Sequence, residues 1–487
     1  MKRASFQMYL ATTFLTLLGS SLRANDFEPH VRFNGQLFPS FIISTAAIKN
    51  GAASPIRSLG PVNAESDATT DESTEAAAEV FPEMIGDQNG LIGVEITATR
   101  SNVPITVTVT CDEVMDPSTF SGQLPKKGEK YLVNPKIRYK FSKLAEVNQA
   151  TPVSMHFKVS IGGKTSEDTA TIMLRPINDC PLVTIEHGEA FDTSSSFAAY
   201  VNEQHPFLDK LLREALDIGV VSSFTGYQQD EKEVIRQVYS IWDALVTRDI
   251  RYSSITATAG GDGGVLCQHV RLIEESLNNS QANCVDGSVL MASALRKIGI
   301  EPFLVSVPGH CYVGFFVDES NTFPLAIETT CLGRKPADEE LPPPVQLLED
   351  AINEDHRFED SWGSFQLALA AGTEDLLRNK ERFAAPDEND YLLIHIANAR
   401  NAGFLPIAFR GKEEFVGNGL VWDEEESEES DEEMMEEEDA SEEELADSDE
   451  EMIEEESEEE DSEEEMDEEE SEDEDGSDES DDESDDE

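Results

Sequence analysis

Short runs in which apolar and polar residues alternate dominate the chain over residues 91–185. A period of two places every second side chain on one face of a β-strand, and short strands between turn residues are typical of antiparallel sheets. We therefore predict a β-sandwich-like module over residues 28–185. Its clearest strands are predicted at residues 94–98, 105–110, 155–161 and 169–174.

Two segments near the start of this module differ from the rest. Residues 36–47 are apolar and rich in β-branched side chains, which favours a first strand. Ala, Ser, Thr, Glu and Asp dominate residues 62–79, without any apolar period. Such a composition buries too little apolar surface to offset the cost of ordering. We therefore predict a disordered insert at about residues 50–85.

A spacing of three to four between apolar residues replaces the alternation after residue 187. The pattern predicts an α+β core at residues 187–335 and a mostly helical C-terminal extension at residues 336–422. Helices are predicted at 206–216, 230–248, 270–277, 284–297, 364–377 and 390–402. Strands are predicted at 303–307, 310–317, 325–329 and 405–409.

The charge of the chain is concentrated in its last segment. Residues 423–487 contain 46 acidic residues and no Lys or Arg, which leaves −21 of the net charge of −67 for residues 1–422. We predict a disordered acidic tail that attracts divalent cations and cationic surfaces weakly and without fixed geometry. Both parts are acidic, so a nucleic-acid partner is not expected.

The N-terminus has the features of an export signal over residues 1–24. Lys2 and Arg3 precede the mostly apolar residues 6–18, and small residues follow at 20–24. The apolar run is too short to span a bilayer, and no later segment is long and apolar enough to do so. We predict a secreted or periplasmic protein without a transmembrane segment after signal removal. In such a compartment Cys111 and Cys180, which lie in one β-rich region, can form a disulfide.

Three residue types that together perform thiol chemistry follow one another in the predicted core. Asn283 and Cys284 begin a helix, where free N–H groups stabilise a thiolate or an oxyanion. His310 begins a strand after a Pro-Gly turn and can reach the helix start. Glu328 lies one hairpin further on, and antiparallel pairing of the two strands would let its carboxylate orient the imidazole.

This order of elements resembles the transglutaminase-like superfamily, a branch of the papain-like folds. In both, a Cys-led helix is followed by a strand, a His-led strand and an acidic residue before threonine. The resemblance covers roughly residues 230–335. The segments that carry it are Asn283-Cys284-Val285-Asp286, Val307-Pro308-Gly309-His310 and Ile327-Glu328-Thr329-Thr330, with Ile250-Arg251-Tyr252-Ser253 resembling the beginning of that family's core.

The resemblance implies an exported, bacterial-type multidomain enzyme that acts on peptide or glutamine amides through a thioester. Cys284 would be the nucleophile, and His310 the general base and then the general acid. Glu328 would orient the imidazole, at a position where the family commonly has Asp. We assign Gln268, on spacing alone, as the candidate that stabilises the oxyanion. No cofactor is implied, and either water or an amine could accept the acyl group.

Two alternatives remain open from the sequence. The chain could keep the fold without turnover and act as a binding or scaffold protein through its β module and acidic tail. A metal could also be bound by Cys267, His269, His310 and Cys311. Consecutive residues of a strand point to opposite faces, however, so Cys311 is expected in the core when His310 faces the site.

Overall fold

The computed structural model describes residues 26–49, 54–61, 82–254, 264–337, 346–385 and 390–417. The fold is mixed α+β with several sheets. Three predicted features lie outside the described residues: the export signal at 1–24, residues 62–81 of the insert, and the acidic tail at 423–487.

The strands are, in chain order, β1 (Glu28–Val31), β2 (Gln36–Leu37), β3 (Arg57–Pro61), β4 (Glu83–Gly86), β5 (Ile92–Thr97), β6 (Val103–Thr110), β7 (Met115–Asp116), β8 (Ser118–Leu124), β9 (Lys130–Asn134), β10 (Arg138–Tyr139), β11 (Thr151–Ile161), β12 (Lys164–Leu174), β13 (Asp179–Glu186), β14 (Glu189–Asp192), β15 (Arg251–Tyr252), β16 (Val265–His269), β17 (Gln281–Ala282), β18 (Pro302–Val307), β19 (His310–Phe316), β20 (Pro324–Ile327) and β21 (Leu392–His395).

The α-helices are α1 (Arg32–Gly35), α2 (Pro39–Thr45), α3 (Phe141–Ala145), α4 (Pro206–Ile218), α5 (Glu231–Thr247), α6 (Ile273–Asn278), α7 (Cys284–Lys297), α8 (Gln346–Ala351), α9 (Glu359–Arg378), α10 (Lys380–Ala384) and α11 (Ile396–Ala402). Short 3-10 helices occur at Ser194–Tyr200, Thr329–Cys331 and Glu354–His356. None of the described helices combines the length and the apolar character that a bilayer crossing requires.

Two sheets enclose a common hydrophobic core in the first part of the chain. Sheet A has the strand order β1-β5-β9-β4, and sheet B has the order β2-β12-β11-β6-β8. Burial alternates along β6 and β11, as the period of two predicts. Their inward side chains, such as Val107 and Phe157, meet Val94 and Val133 of sheet A in one buried cluster.

Sheet C, with the order β16-β13-β14-β3, crosses the boundary predicted near residue 186. Cys267 of β16 pairs with Pro181 of β13, although β16 lies in the predicted core and β13 in the predicted module. The prediction of disorder is wrong for β3, because Gly60 pairs with Ala190 of β14. The described residues up to 417 belong to one compact unit.

Sheet D, with the order β20-β19-β18-β21, is the antiparallel sheet that carries the candidate site. Helix α7 is buried along most of its length and packs on β19, while α9 packs on β20. Helices α4 and α5 complete the same hydrophobic core. Helix α7, which begins at Cys284, is thus fixed between a sheet and other helices.

The strand predicted at residues 36–47 is wrong, because only β2 is extended and α2 follows it. Pro39 is the first residue of α2, where its fixed φ and missing N–H suit a helix start. Phe41 and Ile42 are buried in the core shared by sheets A and B. Apolar content alone does not distinguish a strand from a short buried helix.

Two predictions near the end of the described chain also differ from the structure. The helix predicted at residues 390–402 is divided into β21 and α11, because Leu392–His395 pairs with the free edge of β18. The strand predicted at 405–409 does not form. The N–H groups of Leu405 and Ile407 instead donate single hydrogen bonds to the carbonyls of Ser44 and Ala199.

Candidate active site

Helix α7 begins at Cys284 because Asn283 caps it. The Asn283 side-chain oxygen accepts hydrogen bonds from the N–H groups of Val285 and Asp286, at 2.8 and 2.9 Å. The Asp286 carboxylate accepts from the Asn283 N–H at 3.0 Å, which completes a reciprocal capping box. Cys284 is therefore the first helical residue, and its thiol lies at the positive end of a 14-residue helix.

The cap is reinforced by a buried ion pair. Asp286 is fully buried, and its carboxylate accepts from the Arg271 backbone N–H at 2.8 Å and from Nη1 of the same arginine at 2.6 Å. A buried carboxylate requires such partners. Arg271 thus connects the segment before α6 to the first turn of α7 and holds the helix start in place.

Replacing Arg271 by Met is expected to lower the free energy of unfolding by about 3 kcal/mol, because the Asp286 carboxylate stays buried without its charged partner. Urea unfolding measures this loss. Arg213→Met is the matched control, since the arginine of the Arg213–Asp217 pair is 76% exposed, and it should cost less than about 1 kcal/mol. An equally small loss for Arg271→Met would contradict the role given to the pair.

His310 is positioned by a tight turn between β18 and β19. Val307 pairs with His310, so Pro308 and Gly309 form the two-residue connection. Gly309 has φ +74°, a conformation that glycine adopts without strain. His310 is consequently the first residue of β19, and Cys311 points into the core, as the alternation predicts.

Glu328 follows β20 directly and contacts the imidazole. Its Oε2 lies 2.6 Å from Nε2 of His310. The strand register pairs Val313 with Ile327, so Glu328 is diagonal to His310 rather than directly opposite. The other carboxylate oxygen, Oε1, accepts from the N–H and the hydroxyl of Thr330, at 3.0 and 2.6 Å. Both oxygens of Glu328 are therefore held.

These contacts change the acidity of both groups. Burial acts to lower the pKa of His310, but its hydrogen bonds to Cys284 and Glu328 and the charges of those groups outweigh burial and raise this pKa to about 10. Burial acts to raise the pKa of Glu328, but the hydrogen bond and charge of His310, together with Thr330, lower it below its ordinary value. At neutral pH the pair is an imidazolium and a carboxylate.

The structure thus brings together three of the four residues predicted for the site. Glu328 occupies Nε2 of the imidazole, so Nδ1 is left for the thiol, and Cys284 contributes to the raised pKa of His310. The carbonyl of Cys284 accepts from the hydroxyls of Ser288 at 2.6 Å and Thr329 at 3.2 Å. These two bonds fix the first turn of α7 against the segment that carries Glu328.

Gln268, the candidate predicted for the oxyanion, lies elsewhere. It belongs to β16 in sheet C, where it pairs with Cys180. Its side-chain amide donates to the carbonyl of His269 at 2.8 Å. Among the described residues no hydrogen bond joins its side chain to Cys284 or His310, and its role stays a prediction.

The metal site considered from the sequence is not assembled within the described residues. Cys267 and His269 lie on β16 in sheet C, whereas His310 and Cys311 lie on β19 in sheet D. His269 instead contacts Asp179, with Nδ1 at 3.3 Å from a carboxylate oxygen. The four side chains therefore do not form one ligand set.

Tyr252 is a site residue that the sequence analysis missed. It is 43% exposed, and its backbone N–H donates to the carbonyl of Leu332 at 3.3 Å. Tyr252 pairs with Ala282, two residues before Cys284, and burial, followed by the nearby Cys284 and Glu328, raises its pKa. An exposed aromatic ring near the candidate site offers an apolar face to which a ligand could bind. The signal in the sequence was the segment Ile250-Arg251-Tyr252-Ser253, which follows a long helix.

Cys284 differs from the other cysteines by its exposure. It is partly exposed, whereas the other five are buried free thiols. The disulfide considered possible between Cys111 and Cys180 is not formed, because the two lie in different hydrophobic clusters. Burial raises the pKa of all five buried thiols, to about 11 for Cys111, Cys267 and Cys331 and further for Cys180 and Cys311.

No model of a known protein family matches the sequence, and no curated protein matches it.

Proposed function

We propose that this chain is an exported, transglutaminase-like cysteine enzyme that acts on peptide or glutamine amides through a thioester. One observation carries the proposal: a partly exposed cysteine at a capped helix start interacts with an imidazole whose Nε2 is held by a carboxylate. A nucleophile, a base and a group that orients the base are the minimum for acyl transfer to sulfur.

The first half-reaction forms the thioester. The Cys284 sulfur attacks the amide carbonyl carbon as a thiolate, and the C–N bond breaks. The His310 imidazolium gives its proton to the departing nitrogen, so ammonia or an amine leaves as a neutral molecule. Glu328 keeps the ring in place through Nε2 and stabilises its charged form.

The second half-reaction releases the acyl group. Neutral His310 takes a proton from water or from an amine, which attacks the thioester carbonyl, and the C–S bond breaks. Water gives a carboxylic acid, and an amine gives a new amide. In both cases the sulfur leaves as a thiolate beside the regenerated imidazolium, so the enzyme returns to its starting state.

The start of α7 supplies the electrostatic stabilisation that both half-reactions need. The N–H of the first helical residue, Cys284, has no acceptor within the helix. It lies beside the attacking sulfur and can donate to the oxyanion of the tetrahedral intermediate. The helix dipole adds a further positive potential at this end.

A single assay tests the proposal and separates its two products. The full chain is incubated with glutamine-containing peptides, with and without a fluorescent primary amine. Ammonia release measures thioester formation, and fluorescence in the peptide measures transfer. We expect ammonia release that requires Cys284. If no peptide of a broad set released ammonia and Cys284 were also unreactive, a binding or scaffold protein would be favoured instead.

Replacing Glu328 by Gln is expected to lower kcat/KM by up to about 10⁴-fold, because Gln carries no charge to stabilise the imidazolium. The carboxylate raises the pKa of His310, so the alkaline limb of the activity profile should move to lower pH in the variant. In the wild type, activity should fall as pH rises through about 10, where the imidazolium loses its proton. A pH–rate profile measures both effects.

The control for this profile is Glu374→Gln, which makes the same change of charge at a carboxylate 74% exposed on α9. Its profile should match that of the wild type. An alkaline limb at the same pH in Glu328→Gln and in the wild type would contradict the coupling of Glu328 to His310.

A further inference from the structure

Three potential metal ligands from distant parts of the sequence converge between sheets A and C. His30 lies on β1, Glu95 on β5, and His187 in the turn between β13 and β14. One ligand atom from each lies within 4.8 Å of the other two. Among the described residues, no other group of three or more His, Cys, Asp or Glu side chains meets this 4.8 Å limit.

We propose that His30, Glu95 and His187 bind a divalent transition-metal ion of the zinc class. Two imidazole nitrogens and one carboxylate oxygen form a ligand set that zinc prefers, with a fourth position for water. Calcium and magnesium prefer oxygen ligands alone. The site is separate from Cys284 and does not depend on the function proposed above.

The distances between the ligand atoms fit a shared ion. Oε1 of Glu95 lies 3.4 Å from Nδ1 of His30 and 3.2 Å from Nε2 of His187. Ligands about 2.0–2.1 Å from a tetrahedral zinc ion are about 3.3–3.4 Å apart. A charge-assisted hydrogen bond is shorter, at about 2.7–2.9 Å.

Other histidine–glutamate pairs of the same chain give an internal comparison. His310 and Glu328 approach to 2.6 Å, and His205 and Glu274 approach to 3.0 Å. Each of those carboxylates meets one imidazole at hydrogen-bond distance. Glu95, by contrast, presents a single oxygen to two imidazoles at longer and nearly equal distances.

The carboxylate of Glu95 is fixed in an orientation that suits one metal bond. The residue is only 6% exposed, and Lys130 forms an ion pair with its other oxygen, Oε2. A monodentate ligand therefore remains at Oε1. The register of β1 and β5 pairs His30 with Gly93, so His30 and Glu95 lie diagonally on one face of sheet A.

The histidines themselves are poorly explained by local structure. His187 and Gly188 connect paired residues Glu186 and Glu189, and their φ values are +50° and +76°. Such turns usually contain Asn, Asp or Gly, so the turn does not require histidine. Nε2 of His30 is buried and has no hydrogen-bond partner among the described residues. Nδ1 of His30, which faces Oε1 of Glu95 at 3.4 Å, is the nitrogen that would bind the metal.

Equilibrium dialysis of the full chain against Zn²⁺, after treatment with a chelator, tests the proposal. We expect the wild type to hold one more tightly bound ion than His187→Gly, whose affinity at this site should fall by roughly 100-fold or more. Glycine suits the positive φ, so the turn is retained. His156→Ala, which removes an exposed histidine of β11, should bind like the wild type. The acidic tail is the same in all three proteins, so its binding cancels.

Two readouts decide the outcome. Zn²⁺ should raise the unfolding temperature of the wild type but not that of His187→Gly. Co²⁺ in the site should give a tetrahedral spectrum without a thiolate charge-transfer band, which excludes the six cysteines as ligands.

Equal Zn²⁺ binding by the wild type and His187→Gly would overturn the proposal, as would a Co²⁺ spectrum that contains only thiolate bands. If His187→Gly does not fold, Glu95→Gln takes its place in the same comparison.

Discussion

Replacing Cys284 by Ala is expected to lower amide turnover by about 10⁴-fold or more, to the level of the uncatalysed reaction in the assay. In the proposed mechanism the thioester forms on this sulfur, and the five other cysteines are buried. Cys311 is the nearest cysteine in sequence to His310, but it is buried on the opposite face of β19. Ammonia release from a glutamine peptide measures the loss.

The matched control is Cys111→Ala, which removes a buried thiol from the core of sheets A and B. It should keep turnover near that of the wild type, provided that circular dichroism shows a folded chain. If Cys284→Ala were folded and still active, the thioester mechanism would be wrong.

Replacing His310 by Gln is expected to lower turnover by about 10³-fold. Glutamine can fill the space and accept or donate a hydrogen bond, but it cannot take the thiol proton or pass it to the leaving nitrogen. The alkylation of Cys284 by iodoacetamide at neutral pH should slow as well, because the thiolate loses the imidazolium beside it. Steady-state kinetics and the alkylation rate measure the two effects separately.

His156→Gln makes the same exchange at an exposed histidine of β11, where Nδ1 contacts the Thr169 hydroxyl at 2.9 Å. Its turnover and alkylation rate should be unchanged. An unchanged alkylation rate in His310→Gln would show that the imidazole does not activate the thiol, even if turnover were reduced.

Local signals were sufficient to predict the elements that carry the site. The predicted helix at 284–297 coincides with α7, since Asn283 can cap and Gly299 can end a helix. The strand at 310–317 agrees with β19 to within one residue, because a Pro-Gly turn precedes it. The contact of His310 with Glu328 followed from antiparallel pairing, although the register makes it diagonal.

Long-range pairing was not accessible in the same way. β3 lies in a segment of low apolar content, and its partner β14 follows more than a hundred residues later. The partners of β16 and β21 are likewise distant in sequence. Composition and periodicity describe one segment at a time, so they cannot show which sheet edge a short strand will join.

Some residues that support the site have a local sequence signal, and others do not. Thr330 holds Glu328 through local hydrogen bonds, and the Glu-Thr-Thr sequence was a usable signal. The Asn283–Asp286 capping box could also be predicted from its spacing of three residues. Arg271 and Tyr252, however, reach the site from separate segments, and only the tertiary structure shows their positions.

Quantitative labelling of the native chain with iodoacetamide at neutral pH, followed by mass-spectrometric mapping of all six cysteines, tests the central claim most directly. Cys284 should be modified first and faster in the native chain than in urea, because folding places it beside His310. The five buried thiols, whose pKa values burial raises, should react only after unfolding. A native Cys284 that reacts no faster than in the unfolded chain would contradict the proposed active site.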